Sequence, residues 1–327
     1  MKKLLRTLML TALMAAPLTS YAGYMNGDVN RDGSVTIADV TALIDYLLSN
    51  VDSYEISQVA DLNHDNNVSI ADVTMLIDFL LSGQGGEVPV VATETIEVNG
   101  VTFTMAKVGA GTFMMGATAE QLDEAQPDEF PAHEVTITYD YYIAQTEVTW
   151  ELWLAVIGDD ASEDFQGDLQ SPVTNVSLFD VAIFVDKLTE MTGRIFRTPS
   201  EAEWEFAARG GNLSKCYKYS GSQDIDAVAW FDENAGAAIR PVAQKEPNEL
   251  GIYDMSGNVA EWCLDWYVMY DSTPQVNPIG PESGQISVYR GGSWSSPASL
   301  CRVSARGNLD PHKKAGDLGF RMVMNCQ

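Results

Sequence analysis

Apolar residues recur at helical spacing twice near the amino end. Val40, Leu43, Ile44 and Leu47 fall at i, i+3, i+4 and i+7, and Val73, Leu76, Ile77 and Leu80 repeat the arrangement, which places one stripe of a helix on a core. A further helix is predicted from Leu178 to Met191, with Val181, Phe184, Val185 and Leu188 on one face and Gly193 as its stop. Ser200 followed by Glu203 is a capping-box pattern, and that segment ends at Gly210-Gly211. Alternation from Glu134 to Thr138 and from Gln285 to Tyr289 predicts strands. The remainder of the second half reads as long loops held by buried aromatics, an arrangement expected to need staples from metals or disulfides. Glu201, Glu203 and Glu205 read as capping and surface charge.

The first 22 residues do not belong to this pattern. Lys2, Lys3 and Arg6 precede an apolar run from Leu8 to Leu18, and small residues end the segment at Ala22, as in a cleaved secretory leader. No later stretch is long and apolar enough to span a bilayer, and no Cys follows the expected cleavage site, so a lipid anchor is not expected there. The mature protein is expected to be exported (periplasmic, extracellular or held at the cell surface) into a compartment that permits disulfides. Cys216, Cys263, Cys301 and Cys326 allow three complete pairings. Cys263 with Cys301 and Cys216 with Cys326 is the pairing expected here, although the sequence does not force it. Hydrophobic residues at 46% are ordinary for a globular chain, whereas a net charge of −27 is not. Such a surface repels phosphate backbones and excludes a nucleic-acid partner. It suits cation binding, or simple solubility. Gly83 to Gly86 followed by Glu87-Val88-Pro89 breaks both periodicities. The expected layout is a leader at 1–22, a small module at 25–84, a linker at 85–94 and a large domain at 95–327.

The small module is an internal duplication. Residues 28–50 and 61–83 are identical at 15 of 23 aligned positions. Each copy opens with a hard-cation loop: Asp28, Asn30, Asp32, the Ser34 carbonyl and Asp39 in the first, and Asp61, Asn63, Asp65, the Asn67 carbonyl and Asp72 in the second. Oxygen donors at loop positions one, three, five, seven and twelve are the spacing that calcium takes. No helix enters either loop, one leaves each, and Asp stands at position twelve. This combination resembles a type I dockerin domain, which implies two calcium ions and docking onto a cohesin-like or cell-surface scaffold protein. The matching partner-reading positions are Ile37-Ala38 and Ile70-Ala71 with the adjoining helices, apolar where many dockerins carry hydroxyls.

The large domain carries six ordered motifs: Gly111-Thr-Phe-Met-Met-Gly116, Pro131-Ala-His133-Glu-Val135, the run from Arg197 to Arg209, the run from Asn248 to Trp262, Arg290-Gly-Gly-Ser-Trp294 and Leu318-Gly-Phe-Arg321. Together they resemble the formylglycine-generating enzyme (sulfatase-modifying factor) family, which implies an α+β, loop-rich, C-type-lectin-like fold. The resemblance also implies one calcium held by the Asp254 and Glu261 side chains and the Gly257 and Val259 carbonyls; the bland reading is a tight turn with Glu261 paired to Arg302 or Arg321. The enzymes of this family oxidise a substrate Cys using copper(I) between two thiolates five residues apart. Counted from Arg290, those positions are Ser296 and Cys301; counted back from Arg306, Cys301 matches neither. One sulfur is missing either way, and a hydroxyl does not replace a thiolate on copper(I). Arg302 beside Cys301 would lower its pKa if the thiol were reactive. His64, His133 and His312 belong to no evident Ser–His–Asp set, and His312-Lys313-Lys314 is a small basic island. The leading expectation is a secreted calcium-binding protein whose small module tethers a domain that binds a ligand or partner at the Ser295–Lys314 loop without formylglycine chemistry. A formylglycine-generating oxidase and a glycan-binding module are the alternatives.

Overall fold

The computed structural model describes residues 29–30, 35–49, 60, 62, 67–81, 91–158 and 167–326; the expected leader lies outside them. The chain divides into two compact units, Met1–Val90 and Val91–Gln327.

In the first unit, α1 (Ile37–Ser49) and α2 (Ile70–Leu81) stand where the two stripes predicted them. Val40, Leu43, Val73 and Leu76 are buried together with Val29, Ala60, Leu62 and Phe79. Ile44 is 37% exposed, and Leu47, Ile77 and Leu80 only edge the cluster. Two short helices share a single seam, so each stripe buries less of its width than it would in a larger core.

The second unit begins with β1 (Thr93–Val98), β2 (Val101–Val108), β3 (Gly111–Met115), β4 (His133–Ile137) and β5 (Tyr141–Ala144), followed by helix α3 (Trp150–Ile157). Helix α4 (Leu178–Thr192) then leads through β6 (Phe196–Arg197) into α5 (Glu201–Ala208) and α6 (Ile225–Val228). The chain closes with β7 (Ala260–Trp266), β8 (Gln275–Val276), β9 (Ser287–Arg290), β10 (Arg306–Leu309), β11 (Leu318–Gly319) and β12 (Val323–Asn325). One sheet runs β1-β2-β5-β12-β6, a second β10-β9-β7-β11 and a third β3-β4-β8. Strand β12 pairs antiparallel with both β5 and β6, so the end of the chain closes the sheet on which the unit begins. This is an α+β architecture of short strands.

Helix α4 confirms its signals. Ser177 and Asp180 form a capping box, and Gly193 caps the other end at φ 70°, a left-handed conformation that glycine adopts without a Cβ penalty. Phe184 on its buried face stacks on Trp153 at 5.3 Å and meets Phe320 edge-on at 5.2 Å.

Helix α5 corrects the sequence reading. Its capping box, Ser200 with Glu203, is present, but all eight residues are buried. Glu201, Glu203 and Glu205 are therefore not surface charge. Arg306 meets Glu201 at 2.7 Å, Arg197 meets Glu203 at 2.6 Å, and Glu205 pairs with Arg290 and Arg209. Elsewhere Arg302 grips Glu129 through two guanidinium nitrogens at 2.8 and 2.5 Å, and Arg321 grips Glu261 through two at 2.6 and 2.7 Å. Forked guanidinium–carboxylate bonds of this kind are charge-assisted and fix geometry as well as charge. They supply the cross-links that the loops were expected to draw from disulfides.

The expected disulfides are absent, because all four cysteines are free. Cys263 sits in the core around Trp204 and Met255, and Cys301 in a separate cluster with Tyr219, Val228 and Phe231. Cys216 and Cys326 are exposed.

Removing Arg302 alone leaves Glu129 as an unpaired buried charge, so Arg302→Ala should cost about 3–5 kcal/mol in urea unfolding. Replacing both partners with apolar residues (Arg302→Met with Glu129→Leu) should cost clearly less. Equal losses would mean that the pair does not act as a unit.

Candidate functional site

The duplicated loops place their last carboxylates alike. Asp39 and Asp72 are fully buried. Asp39 accepts N–H bonds from Asn30 at 3.0 Å and Thr36 at 2.8 Å, and Asp72 from Leu62 at 2.7 Å and Ser69 at 2.8 Å. Each carboxylate thus folds its loop back onto the first turn of the helix that follows. Asn30 and Asn67 are exposed; Asp28, Asp32, Ser34, Asp61, Asn63 and Asp65 lie outside the described residues. Of the expected docking positions, Ile37 and Ile70 are each 71% exposed, Ala38 is exposed and Ala71 half-buried.

The turn that leads into β7 is the second candidate. Asp254, Gly257 and Asn258 have φ of 59°, 80° and 55°, so three of five residues are left-handed. A Cβ on Gly257 would lie 2.3 Å from the Trp230 carbonyl oxygen, which restricts this position to glycine. Asp254 Oδ2 accepts the Ala243 N–H at 2.7 Å, whereas Oδ1 is buried with no partner. Burial pushes the Asp254 carboxyl up to about 6. Glu261 is fully buried between Arg321 and the Trp204 indole N–H, which donates at 2.7 Å. The Arg pairing considered from sequence is therefore present, through Arg321; Arg302 is committed to Glu129.

Glu147 was not singled out by the sequence. It follows β5 and is 1% exposed, and its carboxylate has no hydrogen-bond partner beyond the Asp254 carboxyl beside it. Burial raises its pKa well above the ordinary carboxyl value, and the Asp254 charge beside it raises it further. Nothing in the spacing connects positions 147 and 254. Its neighbours gave no signal either, because Gln145 and Thr146 precede it and Thr149 follows Val148, which reads as an ordinary polar segment. Among the described residues no three His, Cys, Asp or Glu side chains form a metal cluster. A hard cation at this turn would therefore rest on carboxylates supplemented by backbone carbonyls.

The third candidate is the segment after β9. Ser296 accepts the Ser293 N–H at 3.0 Å, and its hydroxyl lies 3.0 Å from that of Ser293. Ser293 and Ser295 both donate to Asp317, at 3.0 and 2.8 Å. Cys301 is fully buried, and burial, with the Asp232 charge adding to it, pushes its thiol up to about 12. Arg302, which would lower this pKa if the thiol were reactive, has its guanidinium on Glu129, Ser304 and the Ser299 carbonyl instead. His312 stacks on Phe179 at 4.4 Å, and Lys314 pairs with Asp180.

Comparison with known proteins agrees with this arrangement. Residues 26–81 match the Dockerin type I domain and residues 93–326 the Sulfatase-modifying factor enzyme 1-like domain. The chain belongs to the sulfatase-modifying factor family and carries a type I dockerin domain ahead of that fold. The formylglycine-generating enzyme of Streptomyces coelicolor is 34% identical over 193 residues, which cover 52% of this chain and 59% of that enzyme. A protein of Paenibacillus barcinonensis named Chaperone protein LppX is 33% identical over 234 residues, covering 56% of this chain and 80% of its own. Among solved structures, Treponema denticola variable protein 1 superposes with a TM-score of 0.64 at 32% identity, over 72% of this chain and 100% of that one. PvdO from Pseudomonas aeruginosa gives 0.58 at 25% identity, over 71% and 98%.

Strand β7 also carries Asp265, which accepts the Glu201 N–H at 2.7 Å at the start of α5. Burial, with Glu201 and Glu203 adding to it, pushes Asp265 up to about 7. The folded chain therefore holds this proton more tightly than the unfolded chain, in which an Asp titrates near about 3.9. Its contribution to stability is complete below about pH 4 and is lost as pH rises through 7. Asp265→Asn should remove that dependence, so the variant gains on the wild type as pH is raised from 4 to 8 in urea melts. A constant difference across that range would contradict the assignment.

Proposed function

We propose that this is an exported docking protein in which the dockerin domain tethers a sulfatase-modifying-factor domain that binds a ligand or partner without formylglycine chemistry. The observation that carries this reading is the pair of positions after β9. Ser296 offers a hydroxyl where relatives of the enzyme type need a thiolate, and Cys301 is a buried thiol held protonated at neutral pH. Copper(I) prefers two soft, deprotonated sulfurs. One hard hydroxyl and one neutral buried thiol make a poor substitute. Proteins similar to this chain include one named as a chaperone and one named as a formylglycine-generating enzyme, which is consistent with one fold hosting different functions.

The dockerin domain holds two calcium ions in this reading. With the ions bound, the loop carboxylates no longer repel one another, and α1 and α2 present Ile37, Ala38, Ile70 and Ala71 to a cohesin-like or cell-surface scaffold protein. Because the halves are near copies, either can supply the contact. A third calcium belongs to the Asp254 turn, held by Asp254, the Gly257 and Val259 carbonyls and the Glu261 carboxylate, whose oxygens it would share with Arg321 and Trp204. The ligand face is the Ser295–Lys314 loop, where Ser295, Asp317 and the His312–Phe179 stack lie at the surface. Export follows from the basic and apolar leader at 1–22.

Copper(I) titrated into the reduced full chain should give no tight one-to-one complex, and a peptide bearing a sulfatase-type Cys should remain unoxidised. Tight stoichiometric binding with conversion of the peptide would establish the oxidase reading instead. Alkylation under native conditions should label Cys216 and Cys326 rapidly, and Cys263 and Cys301 only after denaturation.

A further inference from the structure

Most buried acids of the large unit have a guanidinium of their own. Glu129, Glu201, Glu203, Glu205 and Glu261 are held by Arg302, Arg306, Arg197, Arg290 and Arg321 respectively. Asp265 is held by a backbone N–H instead. Glu147 and Asp254 have no guanidinium of their own: their side chains are 1% and 3% exposed, and three of their four carboxylate oxygens have no partner outside the pair itself. An unpaired buried carboxylate costs several kcal/mol, so two side by side call for a compensating charge.

The surroundings define that charge. Arg321 donates to the Ala144 and Tyr253 carbonyls at 3.0 and 2.9 Å while holding Glu261. The Tyr253 N–H donates to the Gln145 carbonyl at 2.8 Å. The segment after β5 and the turn before β7 are thereby pinned together, which brings Glu147 against Asp254. With all three carboxyls ionised, they and one guanidinium leave this pocket two negative charges in excess, which a single divalent cation neutralises. The donors that the pair offers are carboxylate oxygens, which suit a hard ion of calcium type better than zinc or copper. Glu147 also lines a cleft of about 200 Å³ together with Thr102, Gln145, Thr146 and Gln170, although its carboxylate oxygens are themselves buried.

We propose that Glu147 is a direct ligand of the cation at the Asp254 turn, so that the ion clamps the segment following β5 onto the turn preceding β7. This rests on the reading that the Asp254 turn holds a cation, and adds the ligand that joins it to the other half of the unit. Glu261 then serves mainly to fix Arg321, and Glu147 with Asp254 supplies the carboxylates that face the ion.

The test is calcium titration by calorimetry of the chelator-stripped full chain, beside Glu147→Gln and Asp254→Asn, with near-UV circular dichroism to confirm folding. The wild type should bind three equivalents and each variant two, and calcium should raise the melting temperature of the large unit only in the wild type. Glu147→Asp, which keeps the charge but shortens the reach, should retain the third site at least tenfold more weakly. Three equivalents in Glu147→Gln, with two in Asp254→Asn, would overturn the role of Glu147 while leaving the Asp254 site standing. Two equivalents in the wild type would overturn both, in favour of a proton shared by the two carboxyls.

Discussion

Matching charge inside a loop-rich fold is the constraint on which the large unit depends. It has short strands, and its cysteines are free. Buried carboxylates gripped by arginines tie distant segments together instead. Arg302 joins the turn at Glu129 to the segment after β9, Arg306 joins β10 to the start of α5, and Arg321 joins the segment between β11 and β12 to β7. Such pairs add little net stability compared with an apolar core, but breaking one is costly. They therefore specify which loop meets which. Glu147 and Asp254 are informative because they depart from this rule in the same unit.

The same accounting separates scaffold from chemistry in the segment after β9. Arg290 is buried among the Val303, Ser304 and Ala305 carbonyls and Glu205, so the Arg-Gly-Gly-Ser-Trp motif is held by the framework whatever occupies position 296. A hydroxyl there leaves the fold intact while removing a soft donor. The hydrogen bonds among Ser293, Ser295, Ser296 and Asp317 give the region an ordered polar surface in place of a thiolate pair. In this account the motifs record ancestry and architecture, and the departures from them carry the function.

Much of the fold was legible because its signals are local. The stripes of α1, α2 and α4, the capping box at Ser200 and the stop at Gly193 need only the residues within one element. The burial of Glu201, Glu203 and Glu205 was hidden, since acids at that spacing on an exposed helix look the same; only the arginines at 306 and 290, brought in from distant segments, with Arg197 on the strand just ahead of the helix, reveal it. The free cysteines were hidden for a related reason, because pairing depends on which core cluster each residue enters. Of the turn before β7, the sequence offered Asp254, Gly257, Val259 and Glu261, which lie close together along the chain. It did not offer Glu147, more than a hundred residues earlier, whose importance appears only when its lack of a partner becomes visible.

The central claim is that the exception at Glu147 and Asp254 is a divalent-cation site. Crystals of the full chain grown with calcium, with anomalous differences recorded at long wavelength, address it most directly. The account predicts an anomalous peak about 2.3–2.6 Å from oxygens of both Glu147 and Asp254. A map that shows peaks in the dockerin loops and none between these two carboxyls would contradict it.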